Sequence, residues 1–148
     1  MDNAMPGHIR IGEILVERGS IKKEQLEHAL DVQKKENGFV GEILVKLGYL
    51  EERDIVVALV LQCGLPYIAV NKYTIDPKVV QMIPHDMAQK QRIIALDKIG
   101  DVLSVVMTNP LNHDVKQALE TATGCRIATF ISTKSEIEEA IAKNYAHI

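Results

Sequence analysis

Apolar residues near the start of the chain recur at helical spacing. Ile11, Ile14 and Leu15 are followed by Gly19, and Leu26, Ala29, Leu30 and Gln33 fall three and four residues apart within Lys23–Lys35. This spacing places each apolar set on one face, so it predicts a short helix over about Ile11–Arg18 and a longer one over Lys23–Lys35. Gly19 sits where a helix C′ residue takes a left-handed backbone, which glycine does without a Cβ clash.

The pattern then repeats without a gap. Residues 10–33 align with residues 39–62, with Lys34–Gly38 as the spacer. The copies are identical at Gly12/Gly41, Glu13/Glu42, Ile14/Ile43, Leu15/Leu44, Val16/Val45, Gly19/Gly48, Ala29/Ala58, Leu30/Leu59 and Gln33/Gln62. Ile11/Val40, Ile21/Leu50 and Leu26/Ile55 are apolar in both. Two unrelated amphipathic helices would not fix both glycines and the closing glutamine in one register. The second long helix is apolar on more faces, with Ile55, Val56, Val57, Leu59, Val60 and Leu61, and is expected to lie sandwiched between copy one and the rest of the chain. Lys22 and Glu51 occupy the N-cap positions, where Ser or Thr is the usual cap.

After Gly64-Leu65-Pro66 the periodicity changes. Tyr67–Val70 reads as a short edge strand. Asp76 and Pro77, as N-cap and first-turn proline, open a helix. Pro84 opens another over His85–Gln91. Arg92–Asp97 and Val102–Thr108 alternate as strands, with the hairpin turn in Lys98–Asp101. Asn112–Thr123 reads as a helix ended by Gly124, and Arg126–Ile131 as a strand. Ser132 or Thr133 then caps a helix to about Tyr145, with Glu136 in its first turn. The expected fold class is α+β: a four-helix tandem-repeat subdomain over residues 8–64, then a small β-β-α-β-α subdomain over residues 65–148.

Composition narrows the chemistry. The hydrophobic fraction of 47% and charged fraction of 25% suit a globular chain with a real core. A net charge of −3 and an aromatic content of 4% without Trp point away from DNA and RNA. Cys63 and Cys125 form no CxxC pair and are read as reduced thiols. His8, His28, His85, His113 and His147 are scattered, so no metal and no cofactor are expected. No apolar run approaches the roughly 18 residues of a membrane span, and the first eight residues lack the features of a signal peptide. A cytoplasmic location is expected, peripheral at the inner membrane only through a protein partner. There is no GxxxxGK[ST] loop, no GxSxG elbow and no Cys/His pair at motif spacing, so no enzymatic activity is expected.

These residues carry a family resemblance. Arg10-Ile11-Gly12, Leu15, Gly19, Ile21, Leu26, Leu30 and Gln33, repeated in copy two, resemble the RLGxxL…G…L…L…Q motif of the MshEN-type N-terminal domain of bacterial type II secretion and type IV pilus assembly ATPases. Tyr73–Pro77, Ile83-Pro84, Thr108-Asn109-Pro110, Thr123-Gly124 and Glu136–Ile141 are similar to that family's α/β portion. The resemblance implies a module that binds cyclic di-GMP along the two motifs and acts on secretion or pilus machinery at the inner membrane, without the ATPase engine. The implied contacts are Arg10, Ile11, Gly12, Leu15, Gly19, Ile21, Leu26, Leu30 and Gln33 in copy one. In copy two they are Phe39, Val40, Gly41, Leu44, Gly48, Leu50, Ile55, Leu59 and Gln62, with Asn109 beyond the repeat. Apolar side chains would cover the guanine faces, Arg10 would reach the O6/N7 edge, and the glutamines would donate and accept at a base or ribose edge.

Two positions depart from the family pattern. Phe39 replaces the arginine in copy two, and Asn109 stands where an aspartate precedes proline. Both changes are expected to weaken nucleotide binding, because phenylalanine reads no base edge and asparagine offers one acceptor where aspartate offers two. The competing expectation is a docking adaptor that contacts an inner-membrane platform protein without nucleotide.

Overall fold

The computed structural model describes residues 11–146. They belong to two units, residues 1–64 and 65–148. In the first unit the repeat becomes four helices: α1 (Ile11–Glu17), α2 (Lys23–Glu36), α3 (Val40–Lys46) and α4 (Glu52–Cys63). The two short helices close in the same way. Gly19 and Gly48 take φ of +77° and +84°. In copy one the Ser20 amide donates to the Leu15 carbonyl at 2.9 Å and the Gly19 amide to Val16 at 3.0 Å. In copy two Tyr49 donates to Leu44 and Gly48 to Val45, both at 3.0 Å. These are the paired bonds of a Schellman cap, which satisfy carbonyls the helix end leaves open.

The long helices begin without a Ser or Thr cap, and the sequence compensates from inside the first turn. Gln25 Oε1 accepts the Lys22 amide and Asp54 Oδ2 accepts the Glu51 amide, each at 2.8 Å. This is the inner half of a capping box, supplied three residues after the cap.

Equivalent residues of the two copies build the core of this unit. Ile14, Leu15, Ile21 and Ala29 are buried, as are Ile43, Leu44, Leu50 and Ala58. Each buried Leu or Ile contributes about 1.5–3 kcal/mol. Helix α2 packs on α3, and α1 on α4. Ala58 and Leu59 face the core, but Val57 is 48% and Leu61 65% exposed. They lie one turn apart, so the apolar residues of α4 go all round while the buried stripe stays narrow.

The second unit runs through a 3₁₀ turn (Val70–Lys72), α5 (Pro77–Val80), α6 (His85–Gln91), β1 (Ile93–Ile99), β2 (Val102–Met107), α7 (His113–Thr123), β3 (Arg126–Ile131) and α8 (Lys134–Tyr145). The sheet order is β1-β2-β3. β1 and β2 are antiparallel, and β2 and β3 are parallel through the α7 crossover. Helices α5, α6 and α8 pack on β1, and α7 on β3. Ile93, Ile94 and Ala95 are buried in succession, as expected of a strand covered on both faces.

Three details differ from expectation. Tyr67–Val70 is not a strand: Tyr67 alone bridges Ile131, and the chain then turns at Val70–Lys72. Buried Ser132 draws it away from the sheet, since its hydroxyl donates to the Ile68 carbonyl and accepts the Val70 amide. The β-hairpin is longer than its sequence suggests. Leu96 is a bulge between Ala95 and Asp97, pairing resumes to Ile99↔Val102, and Gly100-Asp101 alone make the turn. Arg92 stands outside the strand, because its left-handed φ of +59° closes α6.

Side-chain caps fix the remaining helices. Asp76 Oδ1 accepts the Lys78 amide, and Asn112 accepts from Asp114 and Val115. Thr133, not Ser132, caps α8 in a full box with Glu136. Tyr145 secures the end of α8: its hydroxyl donates to the Ile83 carbonyl at 2.6 Å, and its ring stacks on His85 at 4.6 Å. Burial pushes its hydroxyl pKa up to about 12.

Candidate functional site

The repeat sorts its expected ligand residues by depth. Ile11, Gly12, Leu15, Ile21, Gly41, Leu44, Leu50 and Leu59 are buried and form the frame of the four-helix unit. Leu26, Leu30, Gln33, Phe39, Val40 and Ile55 are half-buried, and Gly19, Gly48 and Gln62 are exposed. Arg10 lies outside the described residues. In the described part of the repeat, the half-buried set is only partly withdrawn from solvent.

The glycines have structural reasons of two kinds. At Gly19 and Gly48 an added Cβ would meet nothing within 4 Å, so only the positive φ requires glycine. At Gly12 an added Cβ would stand 2.6 Å from Leu26 Cδ1, and at Gly41 3.1 Å from Ile55 Cδ1. Leu26 and Ile55 are aligned positions, so each copy uses the same glycine to bring its short helix against its long one. The close approach at Gly12 and Gly41 is thus to a leucine and an isoleucine of the long helices.

Gln33 has a role the sequence did not reveal. Its Nε2 donates to the Gly38 carbonyl at 2.8 Å. Its own carbonyl accepts the Asn37 amide at 2.8 Å. The side chain therefore clamps the spacer immediately before Phe39, leaving Oε1 as its remaining acceptor. Gln62, its counterpart, is exposed and makes no such clamp. The signal for this bond was present in the left-handed pair Asn37-Gly38, which no periodicity argument reads.

Another contact was missed. His28 Nδ1 bonds the Tyr49 hydroxyl, with the two rings edge to face at 5.7 Å. This ties α2 to the turn after α3. His28 thus belongs to the frame of the repeat, although it looked like one of several scattered histidines.

In the second unit Asn109 is half-buried, and its Oδ1 accepts the Leu111 amide at 3.2 Å. The side chain shapes the turn that leads to α7. Tyr67 donates to Glu136 Oε2 at 2.5 Å, and this bond, with a smaller contribution from burial, raises its pKa to about 12. Burial also pushes the Cys63 thiol up. Among the described residues no group of three or more His, Cys, Asp or Glu is placed to hold a metal ion. No helix among them is long and apolar enough to cross a membrane.

Comparison with known proteins gives these features a context. A family model described as the MshEN domain matches residues 63–148. The match falls on the α/β half, whereas the tandem motif carried the resemblance in the sequence. The chain is 32% identical over 137 residues to the type IV pilus assembly ATPase PilB of Myxococcus xanthus, and 31% identical over 144 residues to PilB of Thermus thermophilus. These alignments take in 93% and 96% of this chain but 24% and 16% of those proteins, so the chain spans only a fraction of their length. Among solved structures, MshE with cdg (cyclic di-GMP) matches at a TM-score of 0.72 and 28% identity, covering 93% of this chain and 99% of that one. The N-terminal domain of XpsE matches at 0.77 and 21% identity, covering 97% and 98%, a likeness of fold.

Proposed function

Because the chain belongs to the MshEN domain family, we propose that it is a regulatory module that binds cyclic di-GMP on its tandem repeat and signals to a type IV pilus or type II secretion machine. One observation carries this reading: the likeness to MshE with cyclic di-GMP extends over 93% of this chain, repeat included. The chemistry of the repeat agrees with it. Leu26, Leu30, Val40 and Ile55 are half-buried apolar groups suited to guanine faces. Gln33 keeps Oε1 for a base or ribose edge, and Arg10 supplies charge and a donor fork. The buried motif residues act by holding these groups in place. The module performs no catalysis in this reading, and its location is the cytoplasmic face of the machine it regulates.

Equilibrium dialysis of the whole chain against cyclic di-GMP tests this. Saturable binding is expected; no retained nucleotide at concentrations well above micromolar would contradict it.

A second reading has its own observation. Val57 and Leu61 form an exposed apolar pair on α4, which suits a docking adaptor for the cytoplasmic part of an inner-membrane platform protein. In that case capture of such a partner would be the same with and without nucleotide. Dependence on cyclic di-GMP would favour the first reading.

A further inference from the structure

The chain has six asparagines, and Asn37, in the spacer between the two copies, is the one followed by glycine. An asparagine side-chain amide carries an electrophilic carbon, and the main-chain nitrogen of the next residue is the nucleophile nearest to it. A side chain on that next residue crowds the nitrogen; Gly38 has none. The backbone brings the two groups together. Asn37 holds φ of +63° and ψ of −168°, and this ψ sets the Gly38 nitrogen gauche to Asn37 Cβ. A helical ψ of about −42° or a strand ψ of about +135° swings that nitrogen farther from Cβ. Both residues are exposed to water. Among the described residues, neither the Asn37 side chain nor the Gly38 amide is held in a hydrogen bond.

The other described asparagines lack this freedom. Asn71 is half-buried and donates to Glu139, and Asn112 is held as the cap of α7. Asn144 is buried and bonded at both ends of its amide, to Ile75 and Ala140. Asn109 precedes Pro110, whose nitrogen carries no proton to lose. We propose that Asn37 is a deamidation site whose isoaspartate product unseats the Gln33 clamp between the two copies. The Gly38 nitrogen gives up its proton and bonds to Asn37 Cγ. The Cγ–Nδ2 bond breaks, ammonia leaves with that proton, and a cyclic imide remains. One water then opens the imide, with no change of oxidation state. Opening at Cγ restores the main chain and leaves an aspartate. Opening at the main-chain carbonyl leaves an isoaspartate, and the chain then runs through Cβ. Gln33 grips this segment twice, accepting the Asn37 amide and donating to the Gly38 carbonyl, each at 2.8 Å. The isoaspartate inserts an extra backbone carbon between those two points, so one residue no longer spans them.

The test is incubation of the full chain at mildly alkaline pH, followed by peptide mapping with mass spectrometry that separates aspartate from isoaspartate. Conversion should appear at Asn37, while Asn71, Asn109, Asn112 and Asn144 stay amides. The folded chain should convert Asn37 at least as fast as the same chain unfolded in urea, because the fold already holds the Gly38 nitrogen gauche to Cβ. The isoaspartate form, separated by ion exchange, should then unfold at a lower urea concentration than the native chain. A freshly prepared Asn37→Asp chain carries the same charge without the extra carbon, and its urea midpoint should stay with that of the native chain. An Asn37 that remains an amide, or that converts more slowly folded than unfolded, would overturn the site. An isoaspartate form as stable as the native chain, or an Asn37→Asp chain as weakened as the isoaspartate form, would overturn the loss of the clamp.

Discussion

Single residues in the repeat separate into those that shape backbone and those that face outward. Gly19 and Gly48 are required by conformation alone, since a Cβ there meets open space. Gly19→Ala should therefore destabilise by about 1–2 kcal/mol, and Gly19→Asn by less, because asparagine tolerates the left-handed region; urea unfolding measures both. Gln33 and Gln62 look equivalent in sequence but differ in partners. Gln33→Ala removes the clamp on Gly38 and should cost about 0.5–1.5 kcal/mol. Gln62→Ala should stay within about 0.5 kcal/mol, as for an ordinary surface change. Equal costs would mean that the Gly38 bond contributes nothing. The capping glycines were legible because their place at the end of an apolar pattern has one physical meaning. The clamp was not, because it depends on a turn whose dihedrals no hydrophobic periodicity encodes.

At the scale of elements, caps and breakers made boundaries readable. Asp76-Pro77, Pro84 and Gly124 each mark an observed helix end, and β3 runs over Arg126–Ile131 as its pattern predicts. Elements that depend on distant partners were not readable. The segment after Pro66 has strand-like residues, yet Ser132 holds it in a single bridge and a turn. The bulge at Leu96 shifts register within β1 and lengthens the hairpin, which local alternation does not reveal. Helix α8 gives a test at this scale. Tyr145 is a buried acid whose folded pKa is about 12 against a usual value of 10.0. The unfolded chain releases this proton first as pH rises. The stability Tyr145 confers is therefore whole below pH 10 and is lost as pH climbs through about 12. Tyr145→Phe should lower stability at neutral pH by about 0.5–1.5 kcal/mol, through loss of the bond to Ile83. It should also flatten the fall in stability between pH 10 and 12. An identical alkaline slope in the two proteins would count against that role.

The whole molecule joins a duplicated helical unit to a three-stranded α/β unit, and family membership rests on the second while the proposed ligand chemistry rests on the first. A ligand that binds only the folded state stabilises it by mass action. Cyclic di-GMP at a hundred times its dissociation constant should add about 2.7 kcal/mol to unfolding, which thermal or urea unfolding with and without the nucleotide measures. The central claim is that the repeat takes cyclic di-GMP and that Arg10 reads one of its bases. Paired titration calorimetry of the native chain and Arg10→Ala with cyclic di-GMP tests it most directly. Saturable binding by the native chain, weakened roughly tenfold or more by Arg10→Ala, is the predicted result. No heat from the native chain, or equal affinity in the two proteins, would contradict it.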